Sequence, residues 1–471
     1  MPAHPAGPRH SDVIDPHGAP ARPVDVDEMS ALAPGIWPQN ARRGTDGLME
    51  LGGLAVTQIV AEAGSPVVVL DEGQVRAAAR GYVDAYAATG ATTDVYYAGK
   101  AFLATAVARW LEAEGVRLDV CTGGELEIAV RAGVPGSHIL FHGNNKSEAE
   151  ISRALEVGVG RFVIDSFAEI ARLGMLADEA GVVAECLVRV TVGVEAHTHE
   201  FIATAHEDQK FGLALADGVA DEAVRRVAAL PSLRLRGLHS HIGSQIFDPA
   251  GFEVAARRLV AFAAELAADG IATEELNLGG GMGIAYTTAD DPLDVAEMAS
   301  ALVGIVRREC EQAGLPLPIL SVEPGRAIVG PAGVTLYTVG TIKTVDLGHG
   351  SMRTFVSVDG GMSDNIRTAL YDADYTVTVA NRTSDAKPML SRVVGKHCES
   401  GDIVVRDCWL PADLAPGDLL AVAATGAYCR SMASNYNQVP RPAVMSVADG
   451  HLTTVLRRET LDDLLALDPG A

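Results

Sequence analysis

From about residue 90 to residue 326 the chain repeats one pattern. A short β-rich apolar run is followed by an Ala- and Glu-rich stretch of helical periodicity, and then by another run. The runs are Asp94–Ala98, Arg117–Cys121, His138–His142, Arg161–Asp165, Glu185–Val192, Leu233–His241, Glu275–Leu278 and Ile319–Glu323. Between them lie helical stretches such as Ala101–Glu114, Ser147–Val157, Phe167–Ala180, Val254–Ala268 and Val295–Ala313. Alternation of this kind builds βαβ units and a parallel sheet. Eight such units fit a closed (β/α)₈ barrel of the TIM type. An open doubly wound sheet is the alternative that the pattern leaves standing.

After residue 326 the character changes. Thr335–Val345, Arg353–Val358, Tyr375–Ala380, Arg392–His397, Asp402–Arg406 and Leu419–Ala424 are strand-like, with Gly and Pro turns between them. This predicts a C-terminal antiparallel β domain over residues 327–471. Leu54–Leu70 is also strand-like, so residues 46–72 are expected to join that domain from the other end of the chain. Residues 73–326 are left for the barrel. Residues 1–45 begin with a tract rich in Pro, His and Ala and are expected to form a disordered extension.

Charge excludes several classes of function. Lys plus Arg is 37 and Asp plus Glu is 61, a net charge of −24. A chain this acidic repels nucleic-acid backbones and anionic lipid surfaces, and an anionic ligand must be held by a local positive site. The longest uncharged run, Ala327–Ile342, is broken by Gly330, Pro331, Gly333 and Gly340 and is too short to span a bilayer. No apolar segment of the signal-peptide kind occurs between Met1 and Asp25. Six cysteines without a C-x-x-C pair predict free thiols in a reducing, cytoplasmic compartment.

In a βα barrel the active site lies at the C-terminal ends of the strands. The unusual residues fall there. Lys100 follows the first run; His241, Gly243 and Ser244 end the sixth; Gly279, Gly280 and Gly281 end the seventh; Glu323, Gly325 and Arg326 end the eighth. Each has a plainer reading. A lysine after a strand is usually solvated, and a glycine triplet is usually a tight turn. The dinucleotide spacing G-x-G-x-x-G fails, because Ile284 stands where its third glycine belongs. The pairs His197/His199 and His239/His241 invite a metal, but neither has an acidic partner at ligand spacing, and no metal is expected. Taken together the set suits pyridoxal phosphate. Lysine supplies a Schiff-base amine, glycine N–H groups with Ser244 approach a phosphate, Glu323 meets the pyridine nitrogen, and His241 stacks on the ring.

The motifs Tyr97-Ala98-Gly99-Lys100, His241-x-Gly243-Ser244, the glycine triplet and Glu323-Pro324-Gly325-Arg326 resemble the fold-type III pyridoxal-phosphate decarboxylases over residues 45–465. The resemblance implies an alanine-racemase-like barrel with a β domain, Lys100 as the cofactor's attachment point, and phosphate contacts from Ser244, Gly281 and Arg326. Cys398-Glu399-Ser400-x-Asp402, Gly426-Ala427-Tyr428 and Asp364-Asn365-x-Arg367-x-x-x-Tyr371 are similar to the diaminopimelate branch of that family. That branch implies distal-carboxylate contacts from Arg326, Arg367 and Tyr371, and a distal-amine contact from Glu399. It also implies Tyr428 on cofactor and substrate, and Cys398 as a proton donor supplied by the second subunit of a homodimer. The chemistry agrees with such a substrate: guanidinium groups match a carboxylate bidentately, and a carboxylate matches an ammonium.

The expected activity is pyridoxal-phosphate-dependent decarboxylation of meso-2,6-diaminopimelate to L-lysine and CO₂, which ends lysine biosynthesis. The rivals are a decarboxylase of ornithine, arginine or lysine on the same fold, an amino-acid racemase, and an inactive regulatory relative. Loss of Lys100 or Cys398 would mark the last of these, and both are present.

Overall fold

In the computed structural model of the chain, residues 21–193, 210–346 and 352–471 are described. The His197/His199 pair lies outside them. The chain divides into two compact units. One comprises Arg76–Gly283 and Asp291–Ile328; the other comprises Met1–Val75, Ile284–Asp290 and Val329–Ala471.

The first unit is a closed barrel. Its strands are β1 Thr93–Ala98, β2 Arg117–Val120, β3 Ile139–Phe141, β4 Arg161–Ile164, β5 Ala184–Thr191, β6 Leu233–His239, β7 Glu275–Asn277 and β8 Ile319–Val322. Each pairs in parallel with the next, and β8 returns to β1. Closure removes the open-sheet alternative. Strands covered on both faces carry continuous apolar runs, as in Ile139–Phe141, buried at all three positions. Tyr96, Leu140, Val163 and Leu187 form one cluster of the interior.

Helices α1 Thr105–Ala113, α2 Gly123–Ala132, α3 Glu148–Glu156, α4 Phe167–Ala180, α5 Val219–Ala229, α6 Ala250–Ala268 and α7 Val295–Ala313 follow β1 to β7 in turn. Their start and stop signals are local. Thr122, Ser147 and Ser166 cap α2, α3 and α4, each accepting the backbone N–H three residues on. Gly133 and Gly181 end α2 and α4 in the left-handed conformation. These caps fix where α2, α3 and α4 begin after β2, β3 and β4.

The N-terminal floor of the barrel is charged. Arg117 pairs with Asp94 at 2.9 Å, Arg236 with Glu274 at 2.8 Å, and Arg161 with the fully buried Glu275 at 2.9 Å. Arg161 also meets Glu185.

The second unit is built on a large sheet. Its strands are β9 Gly333–Asp346, β10 Met352–Val358, β11 Val377–Val379, β12 Pro388–Val394, β13 Ile403–Pro411, β14 Leu419–Val422, β15 Ala443–Ala448 and β16 His451–Leu456, together with an upstream strand, Val67–Asp71. The main path runs β13-β12-β10-β9, then Val67–Asp71, then β15-β16, with β14 joining β9 to β11. Most pairs are antiparallel, but β10–β12 and β15–Val67–Asp71 are parallel.

Several expectations need correction here. Leu54–Leu70 is not strand throughout. Val56–Ala63 is a helix that buries Val56 and Ile59, three residues apart, which is a helical period. The extension is not disordered to residue 45. Ile36 and Trp37 are 2% and 3% exposed within this unit's core, and Arg42–Arg43 pairs with Met49–Leu51. Two bulky apolar side chains give that stretch something to bury. The β15–β16 hairpin lies outside the strands expected from the sequence, although its turn, Asp449-Gly450 with both φ positive, is a strong hairpin signal. All six cysteines are free. Among the described residues no helix is long and apolar enough to cross a membrane.

Candidate active site

At the C-terminal mouth of the barrel lies a cavity of about 680 Å³, lined by Lys100, Asp119, His142, His239, His241 and Glu323 among others. Lys100 sits in a one-turn helix, Gly99–Ala101, directly after β1. The Ala98 N–H donates to the carbonyl of Pro324 at 3.3 Å, tying this strand end to the Glu323-Pro324 segment.

Glu323 is the best-defined group of the mouth. It is buried, and its Oε1 accepts from Asn277 Nδ2 at 2.9 Å and lies 2.8 Å from His142 Nε2. Among the described residues the second oxygen, Oε2, has only His239 Nε2 at 3.4 Å, and that nitrogen also lies 3.3 Å from Oε1. Burial pushes the Glu323 pKa up, but His142 and His239 outweigh it and hold the carboxyl well below its ordinary range. So Glu323 is an ionised carboxylate in a desolvated place, saturated at one oxygen and nearly free at the other. The residues that do this, His142 at the end of β3 and Asn277 at the end of β7, were not singled out from sequence. The strand-end rule would have found both.

Asp119, in β2, is pushed up to about 6 by burial, with Glu323 raising it further and His142 and Lys100 opposing. His241 is pushed well below its ordinary value by desolvation and by the positive charges of Lys100 and Arg189. A neutral imidazole results, and it suits stacking. His142, His239 and Glu323 offer ligand atoms within 4.8 Å of one another. Both rings are engaged with the carboxylate, and the pair His239/His241 is split between two tasks.

His239 is fully buried, and burial lowers its pKa to about 4 against the opposing charge of Glu323. Its Nδ1 has no hydrogen-bond partner among the described residues. A folded pKa below the ordinary 6.5 means that the neutral ring's contribution is complete above about pH 6.5. It is lost as the pH falls toward 4. The cofactor-free protein is therefore expected to lose stability across that window, and His239→Asn should flatten the loss. Denaturant midpoints measured against pH check this, and an unchanged slope in the variant would assign the proton elsewhere.

The glycines play separate parts. Gly279 has φ +69, and its N–H donates to Asn277 Oδ1 at 2.8 Å, so of the triplet's expected phosphate donors this one is already spent. A Cβ on Gly280 would lie 2.2 Å from the Glu323 carbonyl, and one on Gly325 would lie 2.9 Å from Ala98 Cβ. Both glycines are packing requirements of neighbouring strand ends. Gly281 and Gly243 have φ +116 and +138, and a Cβ on Gly281 would lie 2.4 Å from Gly243 O. Beside them Arg326 Nη2 donates to Ser244 Oγ at 2.9 Å. Guanidinium, hydroxyl and two glycines thus converge in one corner.

The loop after β3 is fixed from inside. Lys146 is buried, and its Nζ donates to Glu169 Oε1 at 2.5 Å, Gly143 O at 2.7 Å and Val163 O at 2.8 Å. All three ammonium protons are used, so Lys146 is a fastener and not a reactive amine.

The remaining predicted residues lie in the second unit. Arg367 is buried at the start of a short helix, Arg367–Tyr371, whose last residue, Tyr371, is 60% exposed. Asp364 takes the Tyr337 hydroxyl and the Gly361 N–H, and burial pushes it up to about 7. It shapes the turn before that helix. Cys398 is exposed, while Cys186, Cys310, Cys408 and Cys429 are buried. Glu399 is half-buried. Asp402 accepts the N–H of His397 at 2.7 Å and of Met362 at 2.6 Å. The acid of Cys-Glu-Ser-x-Asp is therefore structural and holds the turn that presents Cys398 and Glu399. Tyr428 has φ +59, a left-handed conformation uncommon for a bulky residue and typical of functional positions.

The family model described as pyridoxal-dependent decarboxylase, pyridoxal binding domain, matches residues 72–330. Diaminopimelate decarboxylase of Mycobacterium leprae is 54% identical, over 99% of this chain and 100% of that protein. The Bacillus subtilis enzyme of the same name is 44% identical, over 91% and 97%. The crystal structure of diaminopimelate decarboxylase from M. jannaschii in complex with L-lysine superimposes with a TM-score of 0.85. That structure is 32% identical, and the match covers 91% of this chain and 98% of that one. The chain belongs to the diaminopimelate decarboxylases, a branch of the pyridoxal-dependent decarboxylase family.

Proposed function

We propose that this chain converts meso-2,6-diaminopimelate to L-lysine and CO₂ with pyridoxal phosphate, the closing step of lysine biosynthesis, as a cytoplasmic homodimer whose active sites are shared between subunits. The observation that carries the reading is the ionised, buried Glu323 in the same cavity as Lys100.

The residues of the mouth fit the cofactor. An anionic phosphate needs a local positive site in a chain of net charge −24, and Arg326 with Ser244 and the backbone of Gly243 and Gly281 supplies one. Lys100 would hold the cofactor covalently through its Nζ. Glu323 would face the cofactor's ring nitrogen and keep it protonated, with its Oε1 already engaged by Asn277 and His142. Neutral His241 would pack against the cofactor's ring. Bound there, pyridoxal phosphate supplies a sink for the electron pair left when a substrate carboxylate departs as CO₂.

The chain's own groups decide which carboxylate leaves. Arg326, Arg367 and Tyr371 bind the distal carboxylate and Glu399 the distal ammonium, so the far end of the substrate is read as a whole amino acid. Tyr428 contacts both cofactor and substrate. Cys398 Sγ delivers the proton that replaces CO₂ at the α-carbon. Exposure of Cys398 on a turn fastened by Asp402 supports its supply to a partner's barrel. Six free thiols support a reducing compartment.

The test is a panel. Purified holoenzyme is given meso-diaminopimelate, ornithine, arginine and lysine, with CO₂ release and product chirality measured. Diaminopimelate is expected to be turned over fastest and to yield L-lysine. Faster turnover of ornithine or lysine, or inversion without CO₂, would overturn the reading.

A further inference from the structure

Arg367 is placed in an unusual way. The residue is 5% exposed, yet among the described residues no Asp or Glu pairs with it. Burying a guanidinium without a counter-ion is costly, and side chains in that position are normally paired. Two tyrosines take the place of an acid. The guanidinium carbon lies 4.6 Å from the ring centroid of Tyr286 and 5.6 Å from that of Tyr375. Both distances fall in the range where a cation is attracted to a ring face. The rings meet edge to face, with centroids 5.3 Å apart and an interplanar angle of 83°.

The hydrogen bonding is one-sided. Arg367 Nη1 donates to the Tyr375 hydroxyl at 2.6 Å, while the buried Nε has no partner among the described residues. The edge bearing Nε and Nη2 is the edge that grips a carboxylate through two parallel bonds. Tyr375 thus occupies one end of the fork and leaves the bidentate edge unspent. The clamp is itself anchored. Tyr375 OH lies 3.4 Å from Cys429 Sγ, Thr376 Oγ1 donates to the Tyr286 carbonyl at 2.8 Å, and Asp290 Oδ2 accepts the Tyr286 N–H at 2.9 Å. This accounts for the segment Ile284–Asp290, which leaves the barrel sequence to join the second unit and carries Tyr286 with it.

We infer that Tyr375 and Tyr286 are positioning residues that aim the bidentate edge of Arg367 at the substrate's distal carboxylate, and that they set the enzyme's preference for a diamino diacid. The inference rests on the reading of Arg367 as a distal-carboxylate contact. If it holds, the clamp acts only on ligands that carry that carboxylate.

L-Lysine and 1,5-diaminopentane differ by that one group, so the pair isolates it. Dissociation constants of both are measured on the holoenzyme by calorimetry, beside KM and kcat for meso-diaminopimelate. Tyr375→Phe keeps the ring and removes the hydroxyl. It is expected to weaken L-lysine about tenfold, the scale of one hydrogen bond to a charged group, and to raise KM similarly. 1,5-Diaminopentane binding and kcat should stay within about twofold. Tyr286→Leu, which removes a cation-facing ring, should show the same contrast and serves if Tyr375→Phe does not fold. Arg367→Ala is the control for the underlying reading. If it leaves L-lysine binding intact, the assignment of Arg367 fails. If it weakens L-lysine selectively while neither tyrosine variant does, the assignment stands and the clamp is refuted. Equal weakening of both ligands by a tyrosine variant would mark a general structural role and refute it too.

Discussion

Lys100→Ala is expected to lose decarboxylation by roughly 10²–10⁴-fold or more, the range over which removal of an essential reacting group acts. The same change should abolish covalent retention of pyridoxal phosphate. In the unaltered protein, borohydride should fix the cofactor's mass on the peptide that contains Lys100. Geometry names the competitors and disposes of one. Lys146 lies in the neighbouring loop, but Glu169 and two carbonyls use its three protons. Lys210 lines the same cavity, with its ammonium 4.6 Å from the ring of Phe211, and is the informative control. Lys210→Ala should keep the label on Lys100. Label recovered on Lys210, or retained in Lys100→Ala, would refute the assignment.

Much of this was legible in the sequence, for a physical reason. Parallel barrel strands are covered on both faces, so each is a short run of buried apolar residues such as Ile139–Phe141 and stands out against amphipathic helices. The strand-end rule then turned eight runs into a short set of positions, and Lys100, His241 and Glu323 do line one cavity. What it missed were partners of partners. His142 and Asn277 carry no motif of their own. Their meaning appears only when β3 and β7 bring them to the same oxygen of Glu323, more than forty residues on.

The β unit was harder to read, because its pairing is non-local. Val67–Asp71 sits between β9 and β15, strands that lie far along the chain. No period within a window of sequence reports that. The same holds for Ile284–Asp290, a short segment inside the barrel's span that belongs to the other unit and contains Tyr286. Roles within motifs were also mixed. Cys398-Glu399-Ser400-x-Asp402 reads as one functional string, yet Asp402 spends its oxygens on the backbone of Met362 and His397. Only the exposed part of the string is available for chemistry.

That exposure carries the second large effect, the return of activity when two inactive variants are combined. A lone cysteine is usually a buried, inert thiol. Cys398 is instead exposed on a fastened turn, and the same unit leaves Leu370 54% and Tyr371 60% exposed. Large apolar side chains left exposed in the unit that carries Cys398 suit a surface that a partner covers. In a two-fold dimer each surface is used twice, and the shared site proposed above would set one chain's Cys398 beside the other's Lys100. Lys100→Ala and Cys398→Ala homodimers should each be nearly inactive. Refolded together in equal amounts, about half of the dimers are mixed, and each mixed dimer has one doubly altered site and one intact site. About a quarter of wild-type activity should therefore return, with the shape of its pH profile unchanged. A thiol that acted within its own chain would give no return, because every site would then lack one of the two groups. If subunit exchange is shown by mass and no activity appears, Cys398 does not serve the partner's barrel, and the shared site is wrong.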